Sequence, residues 1–237
     1  MKELIKRVIV ALDVERIERA LEIVDFLEEI EIFKVGPGLF LSSRGKIIEK
    51  LQKKNKKIFL DLKFHDIPNT VFNAVKEATK MGVSMMTVHS LGGKEMLMKA
   101  SEAAQNQAEI SGIPRPLIMA VTILTSMEQK NLKEIGIEKD VGSMVLNLAR
   151  ISKESGSDGV ISSPLEIEII KKNLGDDFLV ATPGIRIEKV PQDDQKRVLS
   201  PLEAIELGAD YIIIGRTIIE KPEKSYKDLL KLFNKTS

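Results

Sequence analysis

A chain of 237 residues, 43% hydrophobic and 30% charged, can bury one sizeable core and has the composition of an ordinary globular protein. Its 36 Lys and Arg nearly balance 35 Asp and Glu. With no Trp and two Tyr, it has neither the basic field nor the stacking aromatics of a nucleic-acid binder. The absence of Cys excludes disulfides, thiolate metal sites and Cys nucleophiles, and with only His65 and His89 any metal would fall mostly to carboxylates.

In chain order, the apolar run 8–12 stops at Asp13, too short for a signal core or a membrane span, so a cytoplasmic protein without membrane partners is expected. Alternation predicts a strand over 7–13. Ile17, Leu21, Val24 and Leu27 share one face of a helix over 14–29. A strand at 32–36 precedes a helix at 44–54, and the lysine-rich stretch 50–57 reads as a solvated helix end. The strand 57–64 leads to a helix at 70–81 begun by Pro68 and Asn69. The strand 85–90 leads to a helix at 94–109, and the five methionines of 81–98 read as packing residues. After a strand at 116–125, the long connection 126–141 predicts a flexible lid or an extra short helix, followed by a helix at 142–155. Three further strands, 159–163, 178–184 and 211–215, alternate with helices at 165–173, 201–207 and 222–233.

Eight such units with no linker between them predict an α/β fold in one domain, 1–237. A closed (β/α)₈ TIM barrel fits this length better than an open sheet.

A barrel carries its chemistry at the C-terminal ends of its strands. Side chains alternate along a strand, so Asp13, Lys34, Asp61 and Lys63 should all point inward at the ends of the first three strands. Four ionisable groups in a partly dehydrated mouth are costly unless paired. They read either as a structural ion-pair network or as a preorganised electrostatic site. At the other end of the chain, Gly184 with Arg186 and Gly215 with Arg216 form two glycine–arginine turns after the last two strands, where barrels commonly hold phosphate. A small phosphorylated substrate is expected. Neither histidine has an obvious reaction role: His65 suits a structural or interface hydrogen bond, and His89 could line the mouth.

The run Asp61-Leu62-Lys63-Phe64-His65-Asp66-Ile67-Pro68-Asn69-Thr70 closely resembles the signature of the orotidine 5′-phosphate decarboxylase family. Its Asp-x-Lys-x-x-Asp core is shared with related barrels, whereas Ile-Pro-Asn-Thr is more specific. The likeness extends to Ala11-Leu12-Asp13, Phe33-Lys34-Val35-Gly36, Leu124-Thr125-Ser126, Thr182-Pro183-Gly184-Ile185-Arg186, Gln195-Lys196-Arg197 and Ile214-Gly215-Arg216.

The resemblance implies a bacterial-type, monofunctional enzyme that converts orotidine 5′-monophosphate to UMP and carbon dioxide, the last step of de novo pyrimidine nucleotide synthesis, without cofactor or metal. It implies Lys63 as proton donor to C6, Asp61 beside the departing carboxylate, and Lys34 in the same charged array and on the ribose. Asp66 and Thr70 would complete the partner's site in a homodimer. Asp13 would bind ribose hydroxyls, Thr125 would lie near the base, and Arg186, Gln195, Gly215 and Arg216 would bind phosphate. A magnesium-dependent phosphosugar barrel, such as a hexulose-phosphate synthase, and a non-catalytic nucleotide-binding barrel are the alternatives.

Overall fold

The inward–outward alternation of the β-branched runs is what closes the sheet. In a computed structural model that describes residues 1–187 and 198–234, eight parallel strands join edge to edge. They are β1 (Val8–Ala11), β2 (Ile32–Val35), β3 (Lys57–Phe64), β4 (Met85–His89), β5 (Leu117–Val121), β6 (Gly159–Ile161), β7 (Leu179–Thr182) and β8 (Tyr211–Ile214). They follow one another around a closed barrel, with β8 paired back onto β1. The expected TIM barrel is therefore the observed one.

The helices of the first half are α1 (Lys2–Ile5), α2 (Ile17–Phe26), α3 (Pro37–Ser42), α4 (Lys46–Gln52), α5 (Pro68–Lys80) and α6 (Gly93–Ser111). Those of the second half are α7 (Gln129–Glu134), α8 (Val141–Glu154), α9 (Ile167–Leu174), α10 (Pro201–Glu206), α11 (Arg216–Glu220) and α12 (Pro222–Asn234). Among the described residues no helix is long and apolar enough to cross a membrane.

Two apolar layers result. Val8, Val10 and Leu12 of the first strand segment face outward into the shell shared with the helices, while Ile9 and Ala11 face inward. Phe59, Met85, Met119, Ala181 and Ile213 fill the barrel interior with them. Gly159 on β6 belongs here for a steric reason: a Cβ at that position would sit 2.3 Å from the Leu179 carbonyl oxygen. The methionines do pack as expected, Met85 inside the barrel and Met86 and Met96 in the outer shell, except Met98, which is exposed.

Apart from β3, which spans 57–64 as expected, the strands are shorter than the alternation suggested, because a strand's last residues rise past the rim and lose their neighbours. Asp13 and Thr125 thus stand beyond the ends of β1 and β5. The helix expected over 44–54 is α4, and α3 before it is an additional helix that the pattern did not predict. The break between them falls at Arg44 and Gly45, both in left-handed backbone, and Pro37 is at home in the first turn of α3. Of the two expectations for 126–141, the extra helix is the one observed. Glu128 and Asn131 cap the start of α7 reciprocally. In the lysine-rich stretch, Lys56 donates to the carbonyls of Glu28 and Ile30, tying α4 to the preceding β2 connection.

Candidate active site

At the C-terminal mouth the inward residues meet as an alternating chain of charge. Lys34 Nζ lies 3.1 Å from Asp13 Oδ1 and 3.3 Å from Asp61 Oδ2. Asp61 Oδ1 in turn takes Lys63 Nζ at 2.9 Å. The four expected residues are thus brought together, from the ends of three adjacent strands. Each cation has a carboxylate beside it, which is what allows Asp61 to be charged while only 8% exposed.

Burial alone would lower the basicity of Lys34, but Asp61 and Asp13 outweigh it and hold the ammonium above its usual range. For Asp61 burial pushes the carboxyl up, yet Lys34, Lys63 and a hydrogen bond from Thr87 hold it below the ordinary carboxylate range. At neutral pH both are therefore ionised.

A local irregularity aims the last cation. Leu60 pairs with Met86, but Phe64 pairs with Val88, so four steps on β3 oppose two on β4. The extra residues form a bulge that holds Asp61, Leu62 and Lys63 clear of regular pairing. Lys63 has left-handed backbone, φ 48°.

These charges line one side of a cavity of about 230 Å³, a size for a small molecule rather than a polymer. Phe59, Val121, Ile123, Ile161 and Ile213 give it an apolar wall, which keeps the local dielectric low. Thr125, Arg186, Gly215 and Arg216 line it too. In a ring of eight strands β7 stands four strands from β3, so the turn after β7 with Arg186 lies across the mouth from Lys63. Arg186 is 8% exposed and donates to the Ile185 carbonyl.

Asp66 and Thr70 do not line this cavity. Both are exposed at the start of α5, where Asp66 accepts a hydrogen bond from the Ile67 amide. Gln195 lies outside the described residues. His65 and His89 stack with ring centroids 5.1 Å apart beside the mouth. Burial, His65 and Lys63 together push His89 down to about 4, and its Nδ1 accepts the Leu91 amide.

Sequence reasoning passed over Thr87, whose hydroxyl donates to Asp61, and the apolar wall. The signal for Thr87 was present: it is the polar member of the inward series Met85, Thr87, His89, while Met86 and Val88 face the helices.

A family model described as "Orotidine 5'-phosphate decarboxylase / HUMPS family" matches residues 6–227, nearly the whole chain. The chain belongs to this family. Within the orotidine 5′-phosphate decarboxylase / HUMPS family it is similar to the orotidine 5′-phosphate decarboxylase of Trichlorobacter lovleyi, 47% identical over 90% of this chain and 88% of that one. It is also similar to the enzyme of the same name from Fusobacterium nucleatum, 42% identical over 96% of each chain. The crystal structure of orotidine 5′-phosphate decarboxylase from Lactobacillus acidophilus superimposes with a TM-score of 0.82 at 38% identity, covering 97% of this chain and 99% of that one. A crystal structure of a conserved protein from Geobacillus kaustophilus superimposes equally well, with a TM-score of 0.82 at 33% identity.

Proposed function

We propose that this chain, as one catalytic domain, decarboxylates orotidine 5′-monophosphate to UMP with Lys63 as the proton donor. The observation that carries the reading is the four-charge chain ending in Lys63, whose ammonium is partly open to the cavity while anchored 2.9 Å from Asp61. Among the curated relatives, those just named carry the decarboxylase name, which favours this reaction over the phosphosugar chemistries that share the Asp-x-Lys-x-x-Asp core.

Breaking the bond from C6 to the carboxylate releases carbon dioxide and leaves an electron pair on C6 that the ring cannot delocalise. A fixed cation at that position stabilises the charge as it develops, and Lys63 then passes its proton to C6, to be reprotonated from solvent. Asp61 stands beside the departing carboxylate and, by its pairing with both lysines, keeps them in place before substrate arrives. Lys34 and Asp13 suit the ribose hydroxyls, Thr125 the base. Arg186, Gly215 and Arg216 form the phosphate end, with Gln195 assigned to it by the family resemblance alone, and the turn carrying Arg186 lies across the mouth from Lys63. Contacts to that remote phosphate are best used to draw the loops closed and so to raise kcat, not merely affinity.

Asp66 and Thr70 complete the site of a second copy in a homodimer on this reading, which their exposure and their absence from their own cavity's lining support. Cytoplasmic residence is part of the same proposal, supported by the nucleotide substrate.

The deciding experiment follows the ultraviolet absorbance of orotidine 5′-monophosphate mixed with purified, EDTA-treated protein. Loss of the orotate chromophore with UMP as product is expected. No change from folded protein, with turnover of a phosphosugar restored by magnesium, would sink the reading.

A further inference from the structure

The bulge in β3 takes the Lys63 amide off the strand ladder, and a buried backbone donor without a partner is costly. Its partner here is a side chain: the Lys63 N–H donates to Thr87 Oγ1 at 2.8 Å. Thr87 is fully buried on the inward face of β4. A hydroxyl has one proton, and an amide can only donate, so the Thr87 proton is free to go elsewhere. It goes to Asp61 Oδ1 at 2.9 Å, the same oxygen that receives the Lys63 ammonium.

One hydroxyl therefore holds both ends of the Lys63–Asp61 pair, the backbone of the lysine and the carboxylate that anchors its tip. The backbone needs holding, since a non-glycine residue at φ 48° is in a sparsely populated region that relaxes unless its surroundings fix it. Nothing else on β4 serves: Met85 is apolar and fills the interior, and the His89 ring is engaged with Leu91 and His65.

We propose that Thr87 is a positioning residue for the decarboxylation, its hydroxyl fixing the Lys63 backbone and the Asp61 carboxylate relative to each other so that the Lys63 ammonium meets C6. This rests on Lys63 being the proton donor. Thr87 acts through Lys63 and Asp61 and has no contact with the reacting atoms of its own. Valine keeps its shape and loses the hydroxyl; serine keeps the hydroxyl and loses a methyl.

The test is steady-state kinetics with orotidine 5′-monophosphate, with UMP inhibition measured alongside, for Thr87→Val, Thr87→Ser and Lys63→Ala. Misplacing a reacting group by about an ångström costs on the order of 100-fold. Thr87→Val is expected to lose kcat by about that factor while KM and UMP affinity barely move. Thr87→Ser is expected to restore most of kcat although its core is less well packed. Wild-type kcat in Thr87→Val, or an equal fall in Thr87→Ser, overturns the positioning role, provided Lys63→Ala is inactive. Substantial turnover by Lys63→Ala overturns the proton-donor reading and this role with it. Should Thr87→Val fail to fold, Thr87→Ser and Thr87→Ala differ only by the hydroxyl: a kcat gap between them supports the role and equality overturns it.

Discussion

Replacing Lys34 by Met isolates the electrostatic worth of the charge chain, because the two side chains are similar in length and the stem's packing is kept. Two ion pairs are lost. The one to Asp13 costs little: Asp13's side chain is 54% exposed, water replaces the ammonium, and exposed pairs contribute about 0–1 kcal/mol. The one to Asp61 involves side chains only 12% and 11% exposed, and removing one partner of such a pair costs roughly 3–5 kcal/mol. Asp61 keeps Lys63 and Thr87, each at 2.9 Å, and the burial cost of the Lys34 ammonium disappears, so the low end of that range applies.

About 3 kcal/mol at pH 7 is therefore expected, a fall of about 1 M in the urea midpoint for a slope near 3 kcal/mol/M. The pH window follows from the two shifts. Asp61, held below its unfolded value, contributes stability above about pH 4 that is lost as pH falls through its folded value. Lys34, held above its unfolded value, contributes fully below about pH 10 and loses its contribution as pH rises through its folded value. Between those limits the difference from wild type should be flat, and on the acid side it should shrink. Urea unfolding at several pH values is the assay. A variant as stable as wild type at pH 7, or more stable, would refute the reasoning, since desolvation of Lys34 would then outweigh its attractions.

Lys63→Ala should abolish nearly all decarboxylation while the fold survives; appreciable residual loss of the orotate absorbance would remove Lys63 as proton donor. Arg216→Ala should lower kcat/KM by about 2–3 kcal/mol through loss of a charge-assisted phosphate contact, and unchanged kinetics would take Arg216 out of the site. Mixed Lys63→Ala and Asp66→Ala protomers should regain activity that neither has alone if Asp66 serves the neighbouring site, whereas no recovery speaks against sharing. His89 should stay neutral from pH 5 to 8 by NMR titration, its folded value of about 4 lying below the unfolded 6.5. Folding therefore loses stability as pH falls below about 6.5, because the unfolded chain takes up the proton first. A midpoint near 6.5 in the folded protein would refute that account.

The barrel was legible because period-2 alternation and the helical stripes are local properties, written in residues such as Val8, Val10 and Leu12 on one face and Ile9 and Ala11 on the other. The same alternation places Asp13, Lys34, Asp61 and Lys63 on the inner face. Element ends were less legible. The split of α3 from α4 depends on two left-handed residues, and the reach of β5 depends on where its neighbours stop.

The sequence by itself therefore determined the fold class, the inward charges and the glycine–arginine turns, since each follows from order along the chain. Only the tertiary structure decided which charge pairs with which, that Lys34 bridges Asp13 and Asp61, and that Thr87 stands against the bulge of β3. Those facts depend on the register between strands remote in sequence, and a shift of two residues between β3 and β4 is invisible until the two are side by side.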